Sequence, residues 1–133
     1  MSAMSVIAVG AYFEALADVQ QVTVTSIAEQ VGLQVKYIWR LRTGKIIDPS
    51  ARNLRSLTDA VRGSWEDVGT LLANPDATES DGRAMALAWA VESRLIRIED
   101  RRLFASASSD DLNRAAAYLR DRAAERQENG RHR

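Results

Sequence analysis

The reading turns on one stretch, Thr23 to Lys45, TVTSIAEQVGLQVKYIWRLRTGK. It divides into two short helical patterns that meet at a glycine. Ile27, Ala28 and Val31 share one face of the first, and Ile38 and Leu41 share one face of the second, as a 3.6-residue period requires. Gly32 stands where the turn needs a left-handed residue, a conformation that brings glycine no Cβ clash. Thr23 is placed to cap the first helix with its hydroxyl, and Gly44 to stop the second. The second helix also carries Lys36, Arg40 and Arg42.

Charge is distributed unevenly around this stretch. The 133-residue chain has a formal net charge of zero. Residues 1–33 nevertheless hold Glu14, Asp18 and Glu29 with no Lys or Arg, whereas residues 34–62 hold Lys36, Arg40, Arg42, Lys45, Arg52, Arg55 and Arg62 against Asp48 and Asp59. Physiological salt screens exposed charges beyond about 8 Å. A nearby polyanion would therefore feel the local cations rather than the balanced total.

Composition excludes several classes. With no cysteine there is neither a disulfide nor a thiolate metal site, and the single histidine, His132, lies in a polar tail. No metal and no cofactor are expected. A nucleophile–histidine pair, a Gly-rich phosphate loop and a close carboxylate cluster are all missing, so an enzyme is not expected. No apolar run of about 18 residues occurs. The opening MSAMSVIAVGAYF lacks the basic region of a secretory signal. A cytoplasmic protein without membrane contact is the expectation.

Helical patterns continue on both sides. Val6, Val9, Phe13, Leu16 and Ala17 mark a helix over residues 6–20, interrupted by Gly10. After the central stretch, Asp48 is expected to cap a helix that has Pro49 in its first turn and Leu54, Leu57 and Val61 on its inner face. Ser64 and Asp67 have capping-box spacing ahead of Val68, Leu71 and Leu72. Residues 5–73 thus read as a five-helix, all-α domain. Residues 74–82, NPDATESDG, are rich in turn formers and read as a linker.

Residues 83–126 read as two further helices, with a disordered tail at 127–133. Ala88, Val91, Leu95 and Ile98 are spaced as in a coiled-coil seam, which Met85, Trp89, Ile96 and Leu103 widen. Ser108 or Ser109 can cap the last helix, whose inner side holds Leu112, Ala115 and Leu119. Two helices cannot bury that much apolar surface against each other alone. At roughly 25 cal/mol per Å² the remainder must be covered by the first domain or by a second copy. The linker favours the second copy. The expectation is a homodimer through Met85, Ala88, Trp89, Val91, Leu95, Ile96, Ile98, Leu103, Leu112 and Leu119. The alternative is an adaptor or antitoxin-like protein that uses the same face for another protein.

Ile27-Ala28, Val31-Gly32-Leu33, Tyr37-Ile38, Arg40-Leu41, Gly44-Lys45, Pro49-Ser50, Leu54 and Leu57, followed by the Trp65-to-Leu72 helix, resemble the lambda-repressor-like, Cro/C1-type (XRE) helix-turn-helix domain over about residues 6–73. The resemblance implies a sequence-specific transcriptional regulator of bacterial or phage type, bound to double-stranded DNA, with recognition helix 34–43 in the major groove. By position it makes Val35, Lys36, Trp39 and Arg40 the base-contacting residues and Thr23, Thr43, Lys45 and Arg52 the phosphate contacts. Paired recognition helices about 34–36 Å apart would read a roughly palindromic site. A small reader with a helical dimerisation tail also resembles some nucleoid-associated regulators of actinobacteria. Nothing in the sequence identifies a small-molecule effector.

The pattern departs from the family at four positions. Val24 stands in place of a backbone-contacting glutamine, and Gln34 in place of a Ser or Thr cap. Arg42 replaces a common glutamate, consistent with binding DNA. Trp39 replaces a small or polar residue, and both packing on the 45–48 connection and direct DNA contact remain open for its indole.

Overall fold

The computed structural model describes residues 2–46, 48–96 and 107–131. These form seven α-helices and no strand: α1 (Ala3–Val19), α2 (Val24–Val31), α3 (Val35–Arg42), α4 (Ala51–Ala60), α5 (Trp65–Ala73), α6 (Glu79–Glu92) and α7 (Ser109–Arg131). The other helices assemble around α1. Val6, Ala8, Val9, Ala11, Tyr12, Phe13, Leu16 and Ala17 are all at most 2 % exposed, so α1 is buried on most sides instead of along one stripe. That accounts for its apolar composition. No single described helix is long and apolar enough to cross a membrane, and α2 leaves α1 at 106°. Gly10 is the closest approach of α1 to α3, where a Cβ would lie 3.0 Å from the backbone nitrogen of Arg42.

The local signals around α2 and α3 act as their chemistry predicts. The Thr23 hydroxyl accepts from the Ser26 N–H at 3.0 Å. Gly32 and Gly44 have φ of 72° and 69°, the left-handed conformation that stops each helix. Gln34 makes no side-chain cap bond, as its length leads one to expect. At α4 the cap is Ser50, not Asp48. Pro49 holds the chain extended just before the helix, and the short Ser50 hydroxyl accepts from the Asn53 N–H at 3.1 Å. At α5 the box is completed through a third residue. Ser64 Oγ accepts from the Asp67 N–H, while the Ser64 N–H donates to the Tyr12 hydroxyl (2.9 Å), which donates on to Asp67 (3.0 Å).

Residues 74–82 are not a linker. Ser5 Oγ donates to the Asn74 carbonyl (2.6 Å), Ser2 Oγ donates to the Pro75 carbonyl (3.0 Å), and Ala77 is fully buried. Thr78 and Asp81 then form a reciprocal capping box, so residues 79–82 are already the first turn of α6. Gly82 lies directly on α1, where a Cβ would come within 2.1 Å of the Ala8 carbonyl oxygen. The polar, turn-rich composition was that of a helix start, and it removes the boundary between residues 5–73 and 83–126.

The surface expected to hold a second copy is covered inside the chain. Met85, Ala88 and Ile96 are buried, and Trp89, Val91, Leu95, Leu112 and Leu119 pack on the same core. The Trp89 indole N–H also donates to the Arg62 carbonyl at 2.8 Å. Ile98 and Leu103 lie outside the described residues. Of the two covers open to this surface, the first domain supplies it: α6 lies along α1, and α7 lies along α6. The helix of α7 also runs through residues 127–131, where a disordered tail was expected. Its Ala-Ala-Glu-Arg-Gln-Glu run consists of strong helix formers.

Candidate nucleic-acid interface

Ile38 and Leu41 fix the inner side of α3, at 2 % and 0 % exposed. The opposite side therefore presents Val35, Lys36, Trp39 and Arg40, all exposed. Val35 and Trp39 form one i,i+4 stripe of this face, and Lys36 and Arg40 form the neighbouring one. The left-handed turn at Gly44 brings the chain back, so that the Lys45 N–H donates to the Arg40 carbonyl at 3.0 Å. The Lys45 ammonium lies 4.7 Å from the centre of the Trp39 ring. Both alternatives for Trp39 thus retain a basis: the indole meets the connection after α3, and it stays 55 % exposed.

The remaining expected contacts are on the surface. Thr23 and Thr43 are exposed, and the Thr43 hydroxyl donates to the Trp39 carbonyl at 3.0 Å. Arg52 is exposed in the first turn of α4. Among the described residues Lys36, Arg40, Lys45 and Arg52 enter no salt bridge. Val24 is half-buried against the core and offers no polar group to this surface.

Arg42 does not belong to this face. It points inward from α3, where its Nε donates to Glu14 of α1 at 2.8 Å and its guanidinium lies 3.6 Å from Glu79 of α6. An arginine here serves the joint between three helices, because an acid at this position would face two carboxylates. Burial pushes the neighbouring Asp18 carboxyl up, with a further contribution from Glu14.

A second ionic cluster, at the far side of α1, escaped the sequence reading. Arg122 of α7 bonds to Asp67 and donates to Glu92 at 2.7 Å. Asp67 in turn accepts from Tyr12, so α1 and α7 meet at a carboxylate of α5, and α6 joins them through the shared Arg122. Burial pushes the Asp67 carboxyl and the Tyr12 hydroxyl up, against the pull of Arg122 on each. The capping-box spacing had marked Asp67, but nothing local marks Arg122, whose partners come from 30 and 55 residues away. At the start of α7, Asp111 accepts from Ser80 (2.6 Å) and Arg83 (2.9 Å). Burial opposes its ionisation, yet those two bonds hold its carboxyl below the ordinary value. A cleft of about 470 Å³ between α5, α6 and α7 is lined by Met85, Trp89 and Tyr118 among these charged groups. Its inner guanidinium, Arg122, is already engaged.

Compared with models of protein families, with curated proteins and with solved structures, the chain matches none.

Proposed function

We propose that this protein is a sequence-specific regulator of transcription that binds double-stranded DNA with α3 in the major groove. The observation that carries the reading is the outer face of α3 and its surroundings. Lys36, Arg40, Lys45 and Arg52 are exposed and have no salt-bridge partner among the described residues, on a helix-turn-helix frame. Exposed cations without a carboxylate partner suit a polyanion. The resemblance of residues 6–73 to the Cro/C1-type domain points the same way.

The roles follow from reach and chemistry. Arg40 makes the bidentate contact to guanine O6 and N7, and Lys36 reaches the adjacent base or phosphate. Lys45, Arg52 and the hydroxyls of Thr23 and Thr43 hold phosphates and fix the register. One chain on one half-site is the unit of this reading, because the described part of the α6 face expected to join two copies, or to receive a protein partner, packs on the core. A homodimer would need another surface or neighbouring sites on DNA.

Selection of duplexes from a random pool, followed by Arg40→Ala and Arg52→Ala, tests the reading. Arg40→Ala should relax the selected preference by about 1–3 kcal/mol of discrimination. Arg52→Ala should weaken all duplexes alike. An unchanged preference in Arg40→Ala would remove Arg40 as the reader, and the absence of any enriched duplex would remove the function.

A further inference from the structure

Four large apolar side chains are exposed among the described residues: Met4, Val22, Val35 and Trp39. Single exposed apolar residues are ordinary. Val35 and Trp39, however, are one turn apart on the outer face of α3, at 44 % and 55 % exposed. Neither is needed for packing, since Ile38 and Leu41 already join α3 to the core. Together they make an apolar stripe that the chain leaves uncovered.

The charges around the stripe decide what covers it. Lys36, Arg40 and Lys45 border it, and none of them pairs with a carboxylate among the described residues. A second copy docked face to face would set cations against cations. The complementary partner is polyanionic and still offers apolar groups at its surface. Duplex DNA has one such group on its major-groove edge, the thymine C5 methyl.

Resting on the DNA-binding reading above, we infer that Val35 and Trp39 are a methyl-reading pair, which requires thymine at neighbouring positions beside the base read by Arg40. The spacing fits. Side chains four residues apart rise about 6 Å along a helix, and base pairs are stacked about 3.4 Å apart. The pair therefore reaches adjacent or next-adjacent base pairs. Lys45 over the indole restrains the ring before DNA arrives, which lowers the ordering cost of the contact. The ligand class narrows accordingly, from any duplex with a guanine to one with thymine methyls next to it.

The test uses the full chain and the duplex it selects from a random pool. Each thymidine is replaced in turn by deoxyuridine, which removes the methyl and keeps the base pairing. At one or two positions the wild type should lose roughly fourfold in affinity, the effect of one buried methyl. Val35→Ala or Trp39→Ala should abolish that sensitivity at one position each while lowering the melting temperature only slightly, because neither side chain belongs to the core. If deoxyuridine changes nothing at any position while Lys36→Ala still weakens binding, the inference falls and the DNA-binding reading stands. If the variants keep the full methyl sensitivity, another residue reads the methyls and the assignment is wrong. Self-association of the wild type that Trp39→Ala removes would assign the stripe to a second copy instead. If no duplex is enriched, both readings fall.

Discussion

The outer face of α3 and the seam that joins α6 and α7 to the rest are both rich in cations, and they use them in opposite ways. On the seam, Arg83 meets Asp111 at 2.9 Å, Arg114 meets Asp81 at 2.7 Å, and Arg122 bridges Asp67 and Glu92. On α3, in the turn after it and at the start of α4, Lys36, Arg40, Lys45 and Arg52 are exposed and have no such partners among the described residues. Arg42 marks the border, since it sits on α3 but pairs inward with Glu14. A net charge of zero conceals this division. Whether a guanidinium serves the fold or an outside anion depends on the carboxylates within reach of it, and sequence spacing alone does not reveal them.

The largest expected effect tests whether the seam belongs to the same body as α3. Gly82→Ala places a methyl about 2.1 Å from the Ala8 carbonyl, a backbone atom that cannot move alone. It should cost ~3 kcal/mol or more in urea unfolding. A change within about 0.5 kcal/mol would mean that α6 is detached from α1.

Arg122→Ala comes next. It leaves the Asp67 side chain, 6 % exposed, without its cation. The expected loss is about 2–3 kcal/mol, at the low end for buried pairs because Arg122 itself is partly exposed. Affinity for DNA per folded molecule should change less than twofold, which would separate the two cation sets. An equal loss of affinity would merge them.

The smallest stability effect is that of Asp111→Asn, about 1 kcal/mol at pH 7 given the exposure of Arg83. The folded carboxyl lies below its ordinary value of 3.8. Its contribution is therefore fully present above that pH and disappears as pH falls through the lowered folded value. Asp111→Asn should flatten the acid limb of a melting-temperature profile, and an unchanged limb would show that Asp111 does not hold α7 through its charge.

The two regions also differed in how far the sequence disclosed them. The frame of α2 and α3 was legible because its determinants are local: the Thr23 hydroxyl, the left-handed glycines 32 and 44, and the outward positions 35, 36, 39 and 40. The inward turn of Arg42 was not, since Glu14 and Glu79 come from other helices. At the seam, Thr78-Glu-Ser-Asp81 has the composition of both a loop and a helix start. Gly82 suggested flexibility where it in fact permits contact with α1. The apolar excess of α6 was correctly read as needing cover, but which partner supplied it depended on tertiary packing. For α1, burial on most sides leaves no amphipathic stripe to read, and the glycine that interrupts its pattern, Gly10, is the point of contact with α3.

The most direct measurement is the salt dependence of binding to the selected duplex, for the wild type and for a variant with Lys36, Arg40, Lys45 and Arg52 all changed to alanine. Lys45 and Arg52 at phosphates, with Lys36 where it reaches one, predict a slope of log affinity against log salt of about −2 to −3. The variant should retain the wild-type melting temperature, bind far more weakly and have a nearly flat slope. A flat slope for the wild type, or an undiminished slope and affinity in the folded variant, would contradict the assignment of this face to DNA.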